Sequence, residues 1–148
     1  MTNFTGAFKN AVFSLPEFCK SHWLLRIPVA TIIIQSGLDK FPLSADDAAS
    51  YELPYLLWVG AAFGELFGAL AIIAGGLVSG WIGDLTSRLG GFTIASILVG
   101  VIVTTNWAPI WDILLYDHLH VLLFVGGLYF ALRGNGLQRL ANNKDRRV

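Results

Sequence analysis

Ionisable side chains inside apolar stretches are the residues of this chain best placed to do chemistry. Glu65 lies near the middle of Pro54–Val78, a 25-residue stretch with no other charged residue. About 20 apolar residues are enough to cross a bilayer, and a carboxylate at that depth costs roughly 2.5–3.5 kcal/mol. We therefore expect Glu65 to have a charged partner, to be protonated, or to take part in function.

Arg26, in an earlier apolar stretch, is the predicted partner of Glu65. At a rise of 1.5 Å per residue, Glu65 lies about 16 Å below one membrane surface and Arg26 about 6 Å from the other. In a hydrocarbon core of about 30 Å their backbones then differ in depth by about 8 Å, most of which an arginine side chain can bridge. We predict an Arg26–Glu65 ion pair, with a protonated Glu65 bonded to a backbone carbonyl as the alternative. Lys40 is expected to extend outward to the interface.

A second group of polar residues is predicted near the opposite membrane surface from Arg26. Asp117 and His120 are three residues apart, and Gln35 and Asp39 are four apart, so each pair shares a helix face. With Lys40 they form a candidate outer polar pocket. An apolar pocket with a few convergent polar groups suits a lipid-soluble head group such as a quinone. A network of structural hydrogen bonds between helices is the alternative, and for His120 an ordinary interfacial position.

No self-contained catalytic motif or metal-binding spacing is present in the sequence, so whether the chain is an enzyme stays open. His118 lies about 200° around a helix from His120, which prevents the two from ligating one metal ion. The single cysteine, Cys19, excludes an internal disulfide and a CxxC pair. A net charge of zero argues against a nucleic-acid partner. A quinone held without a covalent bond is the only cofactor that the pattern suggests.

Four predicted membrane spans must position these residues. The chain has 148 residues, of which 55% are hydrophobic and 14% charged, against about 25% charged in ordinary soluble domains. The predicted fold is all-α, an integral membrane four-helix bundle over residues 22–140 in the lipid bilayer. The apolar runs predict spans at about 22–41, 54–78, 89–105 and 113–132, joined by linkers at Pro42–Leu53, Ser79–Arg88 and Asn106–Asp112.

The segments outside the spans complete the predicted topology. Apolar residues recur at helical intervals within residues 1–21, which predicts an amphipathic segment at the membrane interface, with a loosely ordered tail as the alternative. Residues 141–148 form a basic tail. Four spans place both termini on the side that carries nine of the ten Lys and Arg residues. Since basic residues mark the cytoplasmic face, both termini are predicted to be cytoplasmic.

Small residues spaced by four predict where the helices approach closely. Gly60, Gly64 and Gly68 form such a stripe in the second span, and Ser96 and Gly100 form one in the third. Helices in lipid associate through close backbone approach at small residues. These stripes are predicted helix-packing faces, within the bundle or against a second subunit.

Several of these residues together resemble the DoxX/DoxD-like family of small four-span bacterial membrane proteins. The likeness covers roughly residues 22–140. Two positions depart from the family pattern, since Gln35 replaces a histidine and Asn135 a proline that many members have. The likeness rests on the Arg26-to-Lys40 spacing in RIPVATIIIQSGLDKF, on Glu65 in GELFGALAIIAGG, on Arg88, and on His120 followed by RGNGLQRL.

The resemblance implies a compact bundle in the bacterial inner membrane and a role beside other redox proteins. One branch of the family is associated with thiosulfate:quinone oxidoreduction. The expected function is therefore an accessory or quinone-contacting subunit of a membrane redox complex, partnered by other redox subunits or by a second copy. Two other functions stay open. Ionisable residues at several depths suggest permeation of a small solute or of protons, and the glycine stripes suggest a purely structural assembly role.

Overall fold

The computed structural model describes residues 21–105, 112 and 117–136, and these residues are almost entirely helical. They contain no β-strand, which confirms the predicted all-α class. Five helices are defined within them: α1 (His22–Asp39), α2 (Ala45–Ser50), α3 (Tyr55–Leu77), α4 (Trp81–Thr105) and α5 (His118–Arg133).

Two of these helices, α3 and α4, are long and apolar enough to cross a membrane. Length and composition alone also fit the core helix of a soluble protein, and α5 has 16 described residues. A membrane crossing by all four long helices therefore stays a prediction. Residues 1–20 of the predicted interfacial segment (1–21), residues 113–116 of the predicted fourth span and the predicted basic tail (141–148) lie outside the described residues.

The first two long helices run antiparallel. Arg26 near the start of α1 contacts Ile72 near the end of α3, whereas Lys40, just after α1, contacts Glu65. The chain turns between them through the short helix α2, whose first turn is capped by the Ser44 hydroxyl. Because α1 and α3 are antiparallel neighbours, the start of α1 and the end of α3 lie at one end of the molecule.

Glycine pairs allow the long helices to approach closely. A Cβ added to Gly75 would lie 2.6 Å from the backbone nitrogen of Ser87, so α3 and α4 are in backbone contact there. A Cβ added to Gly91 would lie 2.5 Å from the carbonyl oxygen of Gly127, which gives the same contact between α4 and α5. Gly126 faces Val29, which joins α5 to α1. The four long helices thus surround one core, formed by Val29, Ala30, Ile33, Ala69, Ile72, Ile94, Leu98, Leu123 and Phe130.

The predicted helix-packing stripes are only partly correct. Gly64 and Gly68 do face α4, where added Cβ atoms would lie within 3 Å of Ile97 and Ile94. By contrast, a Cβ added at Gly60 or Gly100 would meet no described atom within 4 Å, and Ser96 is exposed. The stripe of α4 points away from the bundle because Gly90, Gly91, Ile94 and Leu98 occupy its inner face.

The predicted linker Ser79–Arg88 is mostly helix. Gly80 adopts a φ of 94°, in the left-handed region that glycine enters without steric cost. This lets the chain reverse between Leu77 and Trp81, so α4 begins eight residues before the predicted span. Because α4 begins early, Asp84, Ser87 and Arg88 lie on helical turns that pack against the other helices.

Candidate functional site

A buried ion pair between Lys40 and Glu65 joins α1 to α3. The Lys40 Nζ lies 2.8 Å from Glu65 Oε2, and the two side chains are 13% and 3% exposed. The structure therefore does not form the predicted Arg26–Glu65 pair. Along α3, Glu65 lies seven residues, or about 10 Å, from Ile72, whose carbonyl Arg26 contacts. Because of that separation, Arg26 and Lys40 contact different residues of α3.

Lys40 turns back into the bundle, contrary to the prediction that it extends outward. Its ammonium group donates to the carbonyl oxygen and to the hydroxyl of Ser36, both at 3.1 Å. Carbonyls in the last turn of a helix lack intrahelical partners and carry the negative end of the helix dipole, so a lysine there is stabilised. Glu65 adds a full negative charge on the same side, which directs the side chain inward.

A pair of stacked aromatic residues lies on one side of this ion pair. The Lys40 ammonium lies 5.5 Å from the centre of the Trp58 ring, a cation–π contact. Tyr51, just after α2, stacks on Trp58 with ring centres 5.1 Å apart and an interplanar angle of 20°. Trp58 is 7% exposed, yet its Nε1 has no hydrogen-bond partner among the described residues. We call Ser36, Lys40, Tyr51, Trp58 and Glu65 the α1–α3 site.

The remaining members of the predicted outer polar pocket do not join the α1–α3 site. Gln35 and Asp39 are exposed, because α1 buries the opposite face, which contains Ile33 and Gly37. Asp117 and His120 come together at the start of α5, with His120 Nδ1 2.6 Å from Asp117 Oδ1. Their side chains are 17% and 37% exposed, so they form a separate, partly solvent-accessible pair.

Arg26 lies at the other end of α1, in a polar cluster that joins all four long helices. Its guanidinium is fully buried and donates to the Ile72 carbonyl, to the Ser87 hydroxyl at 3.0 Å and to Asn135 Oδ1 at 2.5 Å. Asn135 in turn donates from Nδ2 to the Gly75 carbonyl at 2.6 Å. One side chain each from α1, α4 and the end of α5 thus meets the backbone of α3.

The charge of Arg26 is stabilised without an acidic partner among the described residues. Its Nη1 and Nη2 contact carbonyl, hydroxyl and amide oxygens near the C-terminal end of α3, where the helix dipole is negative. Nε has no hydrogen-bond partner among the described residues. The guanidinium carbon also lies 4.7 Å from the centre of the Phe130 ring and 5.8 Å from that of Trp23. Gly76 permits this arrangement, because a Cβ there would lie 2.8 Å from Arg26 Nε.

Asp84 and Arg88, one turn apart on α4, hold the end of α5. Arg88 Nε donates to Asp84 Oδ2 at 3.1 Å, and Asp84 Oδ1 accepts the backbone N–H of Asn135 at 2.8 Å. Arg88 Nη1 also donates to the carbonyl oxygen of Leu132 at 2.6 Å. Arg88 therefore caps the C-terminal turn of α5, and Asp84 fixes the backbone that carries Asn135.

Sequence reasoning did not find several members of these two groups. Trp58 and Tyr51 were not among the predicted site residues, and Ser87 fell in a predicted linker. The Ser36–Lys40 spacing of four residues was a usable signal, since it places a lysine over a carbonyl of the last helical turn. Asn135 was noted only as a departure from a family pattern, although an amide can both donate and accept in a buried cluster.

The geometry shows two buried polar groups, one at each end of α1, and no described group of three or more His, Cys, Asp or Glu residues that could hold a metal ion. The α1–α3 site combines an ion pair, stacked rings and one unbonded indole N–H. Comparison with protein-family models, with curated proteins and with solved structures gave no match to this chain.

Proposed function

We propose that this chain is a DoxX-like membrane protein whose α1–α3 site contacts a quinone, and that it serves as an accessory subunit of a membrane redox complex. The observation that carries the proposal is the buried Lys40–Glu65 pair beside the unbonded Nε1 of Trp58. Buried pockets for small molecules are largely apolar, with a few polar groups that fix orientation. The α1–α3 site has this composition.

The outer surface of the helices supports a membrane location. Large apolar side chains point outward along α1, α3, α4 and α5, among them Leu56, which is 82% exposed, and Leu24, which is 73% exposed. Soluble monomers rarely expose extensive contiguous apolar surface, because its contact with water is unfavourable. A lipid environment removes that cost. We propose the bacterial inner membrane from the family resemblance, and both termini in the cytoplasm from the charge distribution.

The chemistry of the α1–α3 site favours a quinone ring over a charged ligand. The Lys40 and Glu65 charges compensate each other, so the site offers no net charge to an ion. Trp58 and Tyr51 supply aromatic surface next to the pair. A neutral planar head group with oxygen atoms at its edge uses both features. We propose a subunit role beside redox proteins because the resemblance to the DoxX/DoxD-like family implies one.

Quinone retention tests the proposal directly. The full chain is purified from bacterial membranes in mild detergent, and bound quinone is extracted and quantified by chromatography, with co-purifying subunits identified by mass spectrometry. The proposal predicts bound quinone and at least one redox subunit with the natural protein. The double variant Lys40→Met/Glu65→Gln, which removes both charges together, should lose the quinone.

Gly60→Ala is the matched control, because Gly60 lies on the same helix and an added Cβ there meets no described atom within 4 Å. It should retain quinone as the natural protein does. Absence of both quinone and redox subunits from the natural protein would overturn the proposal and leave a structural assembly role. Proton or solute flux in proteoliposomes that requires Glu65 would instead favour the permeation alternative.

A further inference from the structure

The connection between α1 and α3, residues 42–53, covers one side of the Lys40–Glu65 ion pair, and we call it the α2 segment. Tyr51, near its end, stacks on Trp58 with ring centres 5.1 Å apart, and the Trp58 ring centre lies 5.5 Å from the Lys40 ammonium. Tyr51 is 58% exposed, whereas Trp58 is 7% exposed and the ion pair is nearly closed to solvent. Tyr51 is therefore the outermost of these groups.

Few contacts hold the α2 segment to the long helices. Its backbone hydrogen bonds among the described residues stay within it, including those from Tyr51 N and from Leu53 N to the Ala48 carbonyl, at 3.2 and 3.0 Å. The side-chain hydrogen bonds of Ser44 and Ser50 are equally local. Ala48 is its single buried residue. Regions with few buried apolar contacts open locally at a low free-energy cost, so the α2 segment can move as a unit while α1 and α3 stay in place.

The observed position of the α2 segment has two unfavourable features. Glu52 has a φ of 55°, in the left-handed region where a side chain is sterically costly. Trp58 Nε1 is a buried donor with no partner among the described residues, which is less favourable than a hydrogen bond to water. Movement of Tyr51 away from Trp58 relieves both features, whereas the aromatic stack and the burial of Ala48 oppose it. The two positions are thus closely balanced.

We propose that the α2 segment is a lid that opens and closes over the Lys40–Glu65 pair. The structure shows the closed position, in which Tyr51 covers Trp58. In the open position residues 42–53 swing away about Glu52, and the pair meets the aqueous phase on the side of α2. This inference goes beyond the proposed function and does not depend on it, because the lid controls access to the pair whatever the site binds.

The rate at which Lys40 reacts with a water-soluble amine reagent measures the opening of the lid. The full chain in lipid nanodiscs is treated with sulfosuccinimidyl acetate, and acetylation of Lys40 is followed over time by mass spectrometry. A lysine-containing peptide in the same reaction gives the rate of a freely accessible amine. We expect Lys40 of the natural protein to react measurably, but more slowly than the peptide.

Two variants shift the lid in opposite directions. Tyr51→Ala removes the stacked ring and should speed acetylation of Lys40 about tenfold, because the aromatic contact stabilises the closed position. Glu52→Gly should slow acetylation about threefold, because glycine accepts a positive φ and so stabilises the closed position. A fixed cover would give the first effect alone, since Glu52→Gly removes no part of the stack.

Tyr55→Ala is the matched control for Tyr51→Ala. It removes the same side chain from an exposed position at the start of α3, where Tyr55 stacks on no described ring. It should leave the acetylation rate of Lys40 unchanged. Circular dichroism of each variant establishes that the helices are intact.

Three results would overturn the inference. An unchanged rate in Tyr51→Ala would mean that Tyr51 does not shield Lys40. An unchanged or faster rate in Glu52→Gly would indicate a fixed cover and no lid. Equal acceleration in Tyr51→Ala and Tyr55→Ala would attribute the effect to general loosening of the molecule. Each of these results leaves the proposed function to be decided separately by quinone retention.

Discussion

At the scale of single residues, the two buried cations are stabilised in different ways. Lys40 faces a carboxylate, and the two opposite charges compensate each other in a site that is nearly closed to solvent. Arg26 faces only carbonyl, hydroxyl and amide oxygens among the described residues, together with the faces of two aromatic rings. Removing Lys40 therefore leaves an unpaired buried charge, whereas removing Arg26 leaves unbonded neutral groups.

A pair of double-mutant cycles distinguishes these arrangements. We expect Lys40→Met and Glu65→Gln to be coupled by at least about 1 kcal/mol, because contacting charged residues do not contribute independently. Arg26→Met and Glu65→Gln should add within about 0.5 kcal/mol, because they have no shared partner. The measurement is the free energy of unfolding from titration with a denaturing detergent. Coupling that is larger for Arg26 than for Lys40 would contradict the observed pairing and restore the predicted one.

The position of Glu65 as a buried charge needing a partner was predictable from the sequence, but the identity of the partner was not. Depth arithmetic compares backbone positions, and it made Arg26 the nearer cation. The direction of a long side chain depends on the helix end beside it and on the neighbouring helix. Lys40 turns inward because Ser36 and Glu65 both accept hydrogen bonds from it. An estimate of backbone depth in the membrane does not include these side-chain contacts.

At the scale of the helices, charged residues complement the helix ends that they contact. Lys40 contacts the last turn of α1, Arg26 the last turns of α3, and Arg88 the last turn of α5. Asp84 lies in the first turn of α4, where a negative charge is favourable. The same residues bridge neighbouring helices, so each charge stabilises one helix end and one contact between helices.

Gly75 tests the close approach of α3 and α4. Gly75→Ala places a Cβ 2.6 Å from Ser87 N and 2.8 Å from Gly83 O, so the backbones must separate. We expect a loss of about 2 kcal/mol or more in the free energy of unfolding, as for other overpacked sites. Gly60→Ala is the matched control. It fills open space and gains roughly 0.5–1 kcal/mol of helix propensity, so it should be neutral or stabilising.

Equal effects of the two glycine variants would contradict the observed contact between α3 and α4. The four-residue spacing of small residues predicted part of this contact, since Gly64 and Gly68 do face α4. It failed for Gly100 and Ser96 because spacing identifies a stripe but not the direction in which the stripe points. The adjacent glycines at 75–76, 90–91 and 126–127 are all buried. Two glycines in a row allow the helix backbone to approach its neighbours closely on two sides, which explains why they occur in pairs.

At the scale of the whole molecule, the described polar groups lie at different positions along the helices. The α1–α3 site joins the end of α1 to Glu65 near the middle of α3, the Asp117–His120 pair lies at the start of α5, and the Arg26 cluster lies near the start of α1. The all-α class and the positions of the long helices followed from hydropathy. The early start of α4 did not, because a predicted linker with polar residues was in fact the polar end of a helix.

The proposed topology predicts opposite accessibility for the two ends. In intact cells a membrane-impermeant maleimide should label a Cys19→Ser/Ser50→Cys variant, because Ser50 is exposed at the end of α2 and the proposed topology puts α2 on the non-cytoplasmic side. In the natural protein, Cys19 should be labelled only after the membrane is permeabilised. Equal labelling of the natural protein and of the double variant in intact cells would contradict the assigned orientation of the termini.

The central claim is that a quinone-type ligand binds between α1 and α3, and photo-crosslinking tests it most directly. The full chain in native membranes is irradiated with an azido-substituted ubiquinone analogue, and the labelled peptide is identified by mass spectrometry. The account predicts label within residues 36–65, competed by excess decylubiquinone and lost in Lys40→Met/Glu65→Gln. Label confined to residues 84–91 or 126–135, or label that excess decylubiquinone does not reduce, would contradict the claim.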